Sequence, residues 1–190
     1  MISYICLECH KNEEIPLDVV RTMDANQVGD VCDVGGLGQY LDKLTTEEKA
    51  IRLTTFHRIL DGKRSCIDEL AFGTELTSEE IRKKVSDLVL QGMLVLDEEG
   101  AVVGSHGLSL APTEHCLHIN GRELFTWCAA DAIGIPAALG LEAKIFSKCF
   151  ECCEPIEINM ACSEIKYSNQ EETHIWVVEA DLGRSIVGCA

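Results

Sequence analysis

The feature that most constrains the fold of this chain is a series of three helical patterns, between Thr45 and Gly62, Ser65 and Phe72, and Thr77 and Gln91. The first and third begin with capping boxes, in which a threonine and a glutamate three residues later satisfy each other's backbone amides. In the first pattern apolar residues recur at helical spacing: Ile51, Leu53, Phe56, Ile59 and Leu60. These patterns predict three consecutive helices.

A hairpin pattern follows the helices. Met93–Leu96 and Ala101–Val103 are short apolar runs on either side of a turn at Asp97 to Gly100. Three helices followed by a hairpin predict a winged-helix-like helical domain over residues 45–110. A cysteine-containing segment over residues 1–44 precedes it.

A winged helix raises the hypothesis of a DNA-binding, metal-responsive regulator, with Arg82, Lys83 and Lys84 on the recognition helix. The charge argues against it. The whole chain has a net charge of −16, and residues 45–104 have 8 Lys and Arg against 12 Asp and Glu, a net of 8 − 12 = −4. Because phosphate contacts supply most nonspecific affinity for DNA, nucleic-acid binding is unfavoured, and a structural role for this domain is the preferred interpretation.

The cysteine content favours a cytoplasmic protein with reduced thiols. The chain has eleven cysteines but neither a signal-peptide pattern at its start nor the roughly 18 consecutive apolar residues of a membrane helix. A secreted disulfide framework is therefore the weaker interpretation, and we expect the cysteines to serve metal binding or reactivity.

Two C-x-x-C strings are candidate metal ligands. Cys6 and Cys9, followed by His10, match a haem-attachment string, an ordinary turn, or half of a thiolate knuckle, and haem is the least favoured because its attachment requires export. Cys149 and Cys152 precede Pro155. Together the four cysteines could form a structural zinc site. Alternatively, Cys152 and Cys153 could be extra thiols that pass on a soft metal.

The most informative stretch for chemistry is Asn120 to Asp131. We predict a helix over Arg122 to Ile133, capped by Asn120 and ended by Gly134 and Pro136. Cys128 and Asp131 would then share one helical face. A thiol beside a carboxyl group can hold a soft metal and deliver a proton to a group bonded to that metal.

We predict an α+β architecture in which this helix packs on a small mixed or antiparallel sheet. Alternation along the first strand would place His115 and His118 on opposite faces, which argues against a metal site shared by the two histidines. The strands are predicted at Cys116–Ile119, Ala143–Phe146, Ile156–Met160, Thr173–Val178 and Arg184–Cys189.

Three segments together resemble the organomercurial (alkylmercury) lyases: Gly107–Leu110, Phe125–Asp131 and Ile135–Gly140. That family has a Trp-Cys-Ala-x-Asp segment, an apolar-Pro-Ala segment after it, and a second essential cysteine roughly sixty residues downstream. Cys189 lies 61 positions after Cys128 and matches that second cysteine. The family continues past it, so we expect residues 111–190 to be a C-terminally short, lyase-like catalytic domain.

The resemblance implies that Cys128 and Cys189 are catalytic thiols that bind mercury and that Asp131 carries the proton. It also implies that Cys149 is a structural cysteine and that the winged-helix-like region has no DNA role. The expected substrate is a small organomercurial, with Hg(II) as bound product, no organic cofactor and no membrane partner. Low-molecular-weight thiols would remove the metal, and a mercuric reductase would accept it. The main alternative is a noncatalytic thiol protein that binds or carries a soft metal.

Overall fold

A computed structural model of the chain describes residues 2–6, 43–72, 74–170 and 173–177, with the backbone alone for residues 2–6, 174, 176 and 177. Among these residues the helices are α1 (Thr46–Leu60), α2 (Ile67–Ala71), α3 (Ser78–Leu90) and α4 (Ala129–Leu139). No helix in this part of the chain is both long enough and apolar enough to cross a membrane.

Helices α1 and α3 begin where the sequence predicts them to begin. Thr45 caps α1 and Thr77 caps α3, and in both helices the third residue, Glu48 or Glu80, closes the capping box. Asp61 and Gln91 are the C-caps. The caps are local in sequence, which is why the pattern alone was sufficient to find these boundaries.

In the part of the chain that the structure describes, the strands form two antiparallel sheets. A two-stranded sheet pairs β1 with β10, and an eight-stranded sheet has the order β2-β3-β4-β6-β5-β7-β8-β9. The strands are β1 (Ile2–Cys6), β2 (Leu94–Leu96), β3 (Val102–Ser105), β4 (Leu108–Ser109), β5 (His115–Ile119), β6 (Arg122–Thr126), β7 (Ala143–Lys148), β8 (Pro155–Ala161), β9 (Glu164–Ser168) and β10 (Thr173–Val177). The α+β prediction is confirmed, and the described sheets are antiparallel rather than mixed.

The predicted helix over Arg122 to Ile133 is wrong in both of its boundaries. Asn120 and Gly121 have φ angles of 53° and 70°, and they form the two-residue turn of the β5–β6 hairpin instead of a helix cap. Both φ angles are positive, as a primed hairpin turn requires, and Asn-Gly is the dipeptide that best supplies them. The residues after the turn therefore continue as strand β6.

The helix begins later and ends later than predicted. Cys128 is the N-cap of α4, Pro136 lies inside the helix, and Gly140 ends it in the left-handed conformation with φ 64°. Pro136 cannot donate a backbone hydrogen bond. Burial of the apolar side chains of α4 against the sheet compensates for that loss.

Among the described residues, the core consists of two apolar clusters, and α1 contributes to both. One cluster lies among the helices and β2–β3, and includes Ile51 of α1. The other lies between α4 and the large sheet, and includes Phe56 and Ile59 of α1. Strands β3 and β4, on the N-terminal side of residue 110, hydrogen-bond in the same sheet as β5 and β6, so the sheet is continuous across the predicted domain boundary.

Candidate active site

The end of β6 and the start of α4 bring Cys128 and Asp131 together. Cys128 has extended backbone angles, φ −153° and ψ 170°, and its sulfur accepts a hydrogen bond from the backbone N–H of Asp131 at 3.5 Å. The Cys128 thiol in turn donates to Asp131 Oδ2 at 3.0 Å. The predicted proximity of thiol and carboxyl is thus present, but it arises from helix capping and not from two positions within one helix.

Gly107 makes room for the Asp131 carboxyl group. A Cβ atom on Gly107 would lie 2.3 Å from Asp131 Cγ, far inside contact distance, and its φ of +79° also favours glycine. The carbonyl of Gly107 accepts a hydrogen bond of 2.8 Å from the N–H of Trp127, which ties this turn to the residue before Cys128. Gly107 is therefore a site residue whose role the sequence analysis missed.

The surroundings of Asp131 make its carboxyl group a weak acid. Burial raises its pKa to about 6, although the hydrogen bonds from the Cys128 side chain and backbone act in the opposite direction. Cys128 itself is buried, with 5% of its surface exposed. A carboxyl group whose pKa lies near neutrality can both accept and release a proton under physiological conditions.

Hydrogen bonds of the buried Ser105 side chain hold the turn that contains Gly107 in place. Ser105 donates its hydroxyl to the carbonyl of Arg52 at 3.0 Å, and its oxygen lies 3.0 Å from His106 Nδ1. Burial, with the charge of nearby Arg52, lowers the pKa of His106 to about 4. His106 is therefore neutral at physiological pH, and it serves the turn as a packed hydrogen-bonding ring that also contacts Phe56.

The structure describes only some of the other predicted site residues. Cys149 is buried directly after β7, whereas Cys152 and Cys153 are exposed in the turn before Pro155. Cys9 and Cys189 lie outside the described residues, as does the side chain of Cys6. The zinc hypothesis and the role of Cys189 accordingly stay predictions.

The two histidines of β5 lie on opposite faces, as alternation predicted. His115 is buried, and its Nδ1 lies 2.6 Å from the hydroxyl oxygen of Ser147. His118 is exposed, and its Nε2 lies 3.2 Å from Glu123 Oε2. A metal site shared by the two histidines is excluded by this geometry.

Comparisons with known proteins give a consistent result. The family model described as "MerB: Alkylmercury lyase" matches residues 108–190. The alkylmercury lyase of Bacillus cereus is 38% identical over 127 residues, which cover 66% of this chain and 56% of the relative. The alkylmercury lyase of Streptomyces lividans is 27% identical over 128 residues, which cover 67% of this chain and 58% of the relative.

A solved structure described as "Crystal structure of the mercury-bound form of MerB2" is also similar. It superposes with a TM-score of 0.74 at 28% identity, covering 87% of this chain and 78% of that chain. The chain spans little more than half the length of the curated relatives it matches, 56% to 58% for the two named above. The family match includes the hydrogen-bonded pair of Cys128 and Asp131, and residues 108–190 of the chain are similar to the alkylmercury lyases.

Proposed function

We propose that this chain is an organomercurial lyase, which cleaves a carbon–mercury bond by protonation and releases a hydrocarbon and Hg(II). The observation that carries the proposal is the hydrogen bond of 3.0 Å from the Cys128 thiol to Asp131 Oδ2. It joins a soft ligand for mercury to an acid whose pKa is about 6. Both residues lie within the region that matches the family.

The proposed reaction consumes two thiol protons. An organomercury cation arrives bound to a small thiolate, and Cys128 displaces that thiolate, which leaves as a thiol with one proton. Cys189 then binds mercury as a thiolate, and Asp131 carries the second proton to the carbon. The carbon–mercury bond breaks as the carbon–hydrogen bond forms, and Hg(II) remains on the two sulfurs. No oxidant, reductant or organic cofactor is required.

Methane release from methylmercury, measured in the headspace with excess small thiol, tests the proposal. We expect Cys128→Ser to abolish methane because serine is a poor ligand for mercury. We expect Asp131→Asn to lower the rate by about 10²- to 10⁴-fold, the usual contribution of a positioned acid. Cys66→Ser, which changes an exposed cysteine at the start of α2, is the matched control and should retain the parent rate.

Cys189→Ser tests the second thiol separately, and loss of methane in that variant is the expected result. Full methane release by Cys128→Ser would contradict the assignment of the nucleophile. Stoichiometric Hg(II) binding by the parent chain without methane would instead support the noncatalytic, metal-carrying alternative.

We further infer that residues 45–110 are winged-helix-like and play a structural role without binding DNA. The order α1, α2, α3 and the hairpin β2–β3 supports this inference, as do Glu79 and Glu80 at the start of α3. Metal-dependent retardation of DNA in a gel would contradict the structural role.

We also expect small thiols to remove Hg(II) from the site and a mercuric reductase to accept it in the cytoplasm.

We also infer that a zinc ion is held by Cys6, Cys9, Cys149 and Cys152. Cys149 and Cys152 lie in one tight turn, which the hydrogen bond of 3.0 Å from the Cys153 N–H to the Cys149 carbonyl closes, and this placement supports half of the set. Native mass spectrometry should find one zinc equivalent that is lost in Cys152→Ser and kept in Cys66→Ser. Equal zinc content in these two variants would contradict the inference.

A further inference from the structure

The β5–β6 hairpin presents three metal-ligating side chains on the face of the sheet opposite α4. Leu117, Ile119 and Leu124 of this hairpin point into the core beneath α4. Because side chains alternate along a strand, Cys116 and His118 point the other way. Glu123 is directly paired with His118 across the hairpin and shares that outer face.

The three side chains already lie close to one another. His118 Nε2 is 3.2 Å from Glu123 Oε2, and the ligand atoms of Cys116, His118 and Glu123 all lie within 4.8 Å of one another. A tetrahedral zinc ion, with bonds of about 2.0 to 2.3 Å, places its ligand atoms roughly 3.3 to 3.8 Å apart. His118 and Glu123 are exposed, so rotations of these two side chains can bring their ligand atoms toward that geometry around the half-buried Cys116.

Aromatic neighbours orient the cluster. The ring of Phe146 meets the ring of His118 edge to face, with centroids 4.9 Å apart. Cys116 pairs with Phe125 on one side and with Phe146 on the other, which leaves its thiol half-buried. The sheet therefore supplies a partly apolar base, and the imidazole and carboxylate lie at the solvent side.

The Glu123 carboxylate supplies negative charge beside the His118 ring and the Cys116 thiol. A divalent cation bound there would stabilise a coordinating Cys116 thiolate. Lys144 pairs with His118 on the other side, and its exposed, flexible side chain can extend its ammonium group into solvent.

We propose that Cys116, His118 and Glu123 form a site for a borderline-soft divalent cation such as Zn²⁺, with a fourth position open to water. A mixed set of one sulfur, one nitrogen and one oxygen ligand suits zinc better than mercury, which prefers two thiolates. The site is separate from the Cys128–Asp131 pair, since it lies on the other face of the sheet. A cation there would link β5 to β6, the strand that leads into Cys128.

Zinc titration of the full chain with a phosphine reductant tests the proposal. The chain has eleven cysteines, so the informative quantity is the difference between variants. We expect Cys116→Ser and His118→Gln each to bind one Zn²⁺ equivalent fewer than the parent. Glu123→Gln should raise the Kd of that equivalent by about tenfold or more, since loss of even an outer-shell partner commonly has such an effect.

Two controls carry the same kinds of side-chain change away from the cluster. Cys162→Ser changes an exposed cysteine in the turn after β8, and Glu157→Gln changes a carboxylate on the outer face of β8. Both should bind zinc as the parent does.

Two further readouts are independent of stoichiometry. Histidine-selective NMR should show the His118 ring signals moving on addition of one zinc equivalent. Zinc should also raise the Tm of the parent more than that of His118→Gln. The proposal is overturned if the ligand variants bind as much zinc as the controls, or if the His118 signals do not move.

Discussion

Gly107 is the residue on which the position of the Asp131 carboxyl group depends. Gly107→Ala introduces a Cβ atom 2.3 Å from Asp131 Cγ, on a backbone with φ +79°. Gly100→Ala is a matched control, because Gly100 has the same φ and no atom within 4 Å of its added Cβ. Left-handed backbone costs a non-glycine residue about 1 to 2 kcal/mol. We expect the Gly100 variant to lose only that amount.

We expect Gly107→Ala to lose a further 1 to 3 kcal/mol, approximately the cost of overpacking, and most of its methane release. Denaturant unfolding and headspace methane measure the two effects. Equal stabilities for the two alanine variants would mean that the Asp131 carboxyl group moves aside freely.

The Asp131 carboxyl group should also make stability depend on pH. Its pKa rises from 3.8 in the unfolded chain to about 6 in the fold, so the folded state binds more protons between these values. The stabilising contribution is therefore complete below pH 3.8 and is lost as the pH rises through about 6. The loss amounts to about 3 kcal/mol, at 1.4 kcal/mol per pH unit.

Asp131→Asn isolates this contribution. Subtracting the free energy of unfolding of the variant from that of the parent, measured by urea titration between pH 4 and 7, should give a difference that falls as the pH rises. A difference that does not change with pH would show that the carboxyl group titrates as an ordinary exposed one.

At the scale of elements, the start of α4 depends on the side chain of Cys128 as a cap. Serine is a strongly preferred N-cap residue and alanine is not. We therefore expect Cys128→Ser to retain the stability of the parent, within about 0.5 kcal/mol, and Cys128→Ala to lose about 1 kcal/mol. Thermal or urea unfolding of the two variants measures this. If the alanine variant is as stable as the parent, the Cys128 side chain contributes nothing to the stability of the helix.

The elements that the sequence predicted well are those with local signals. Capping boxes fixed the starts of α1 and α3, and alternation placed His115 and His118 on opposite faces. The predicted helix after Asn120 is wrong because Asn-Gly is a stronger signal for a two-residue hairpin turn than Asn120 alone is for a helix cap. Strand β4 has only two residues, and β9 is largely exposed, so neither has a clear apolar pattern.

The residues of the candidate site could likewise be predicted where the signal is local in sequence, but not where it depends on strand pairing. Cys128 and Asp131 are three residues apart, and their pairing could be predicted from spacing and resemblance. Gly107 contacts Asp131 across a separation of 24 residues, a contact that only the sheet pairing of β4 with β6 creates. The Cys116, His118 and Glu123 cluster likewise follows from hairpin register, and the Asn-Gly turn is the signal that could have revealed it.

At the scale of the molecule, the continuous sheet and α1 should make the described residues unfold as one unit. Helix α1 contributes to both apolar clusters, and β3 and β4 join the hairpin region to the strands around α4. We expect a single two-state transition, because neither cluster can be exposed without disrupting α1.

Urea unfolding followed by two probes tests this expectation. The Trp176→Phe variant is used because it leaves Trp127 as the one tryptophan of the chain. Fluorescence of Trp127 then reports the environment of Cys128, and circular dichroism at a helical wavelength reports mainly α1 and α3. Coincident urea transitions are the expected result. Separate midpoints would show that residues 45–110 and the remainder unfold independently.

The hydrogen bond from Cys128 to Asp131 also sets an order of events. A thiol that has exchanged its proton for a metal has no hydrogen left to donate, so the bond of 3.0 Å disappears as soon as the sulfur is loaded. That bond helps to hold down the pKa of Asp131. Its loss makes the carboxyl group retain a proton more firmly. Under the proposed function, mercury binding at Cys128 would thus prepare Asp131 to take up the proton that Cys189 releases.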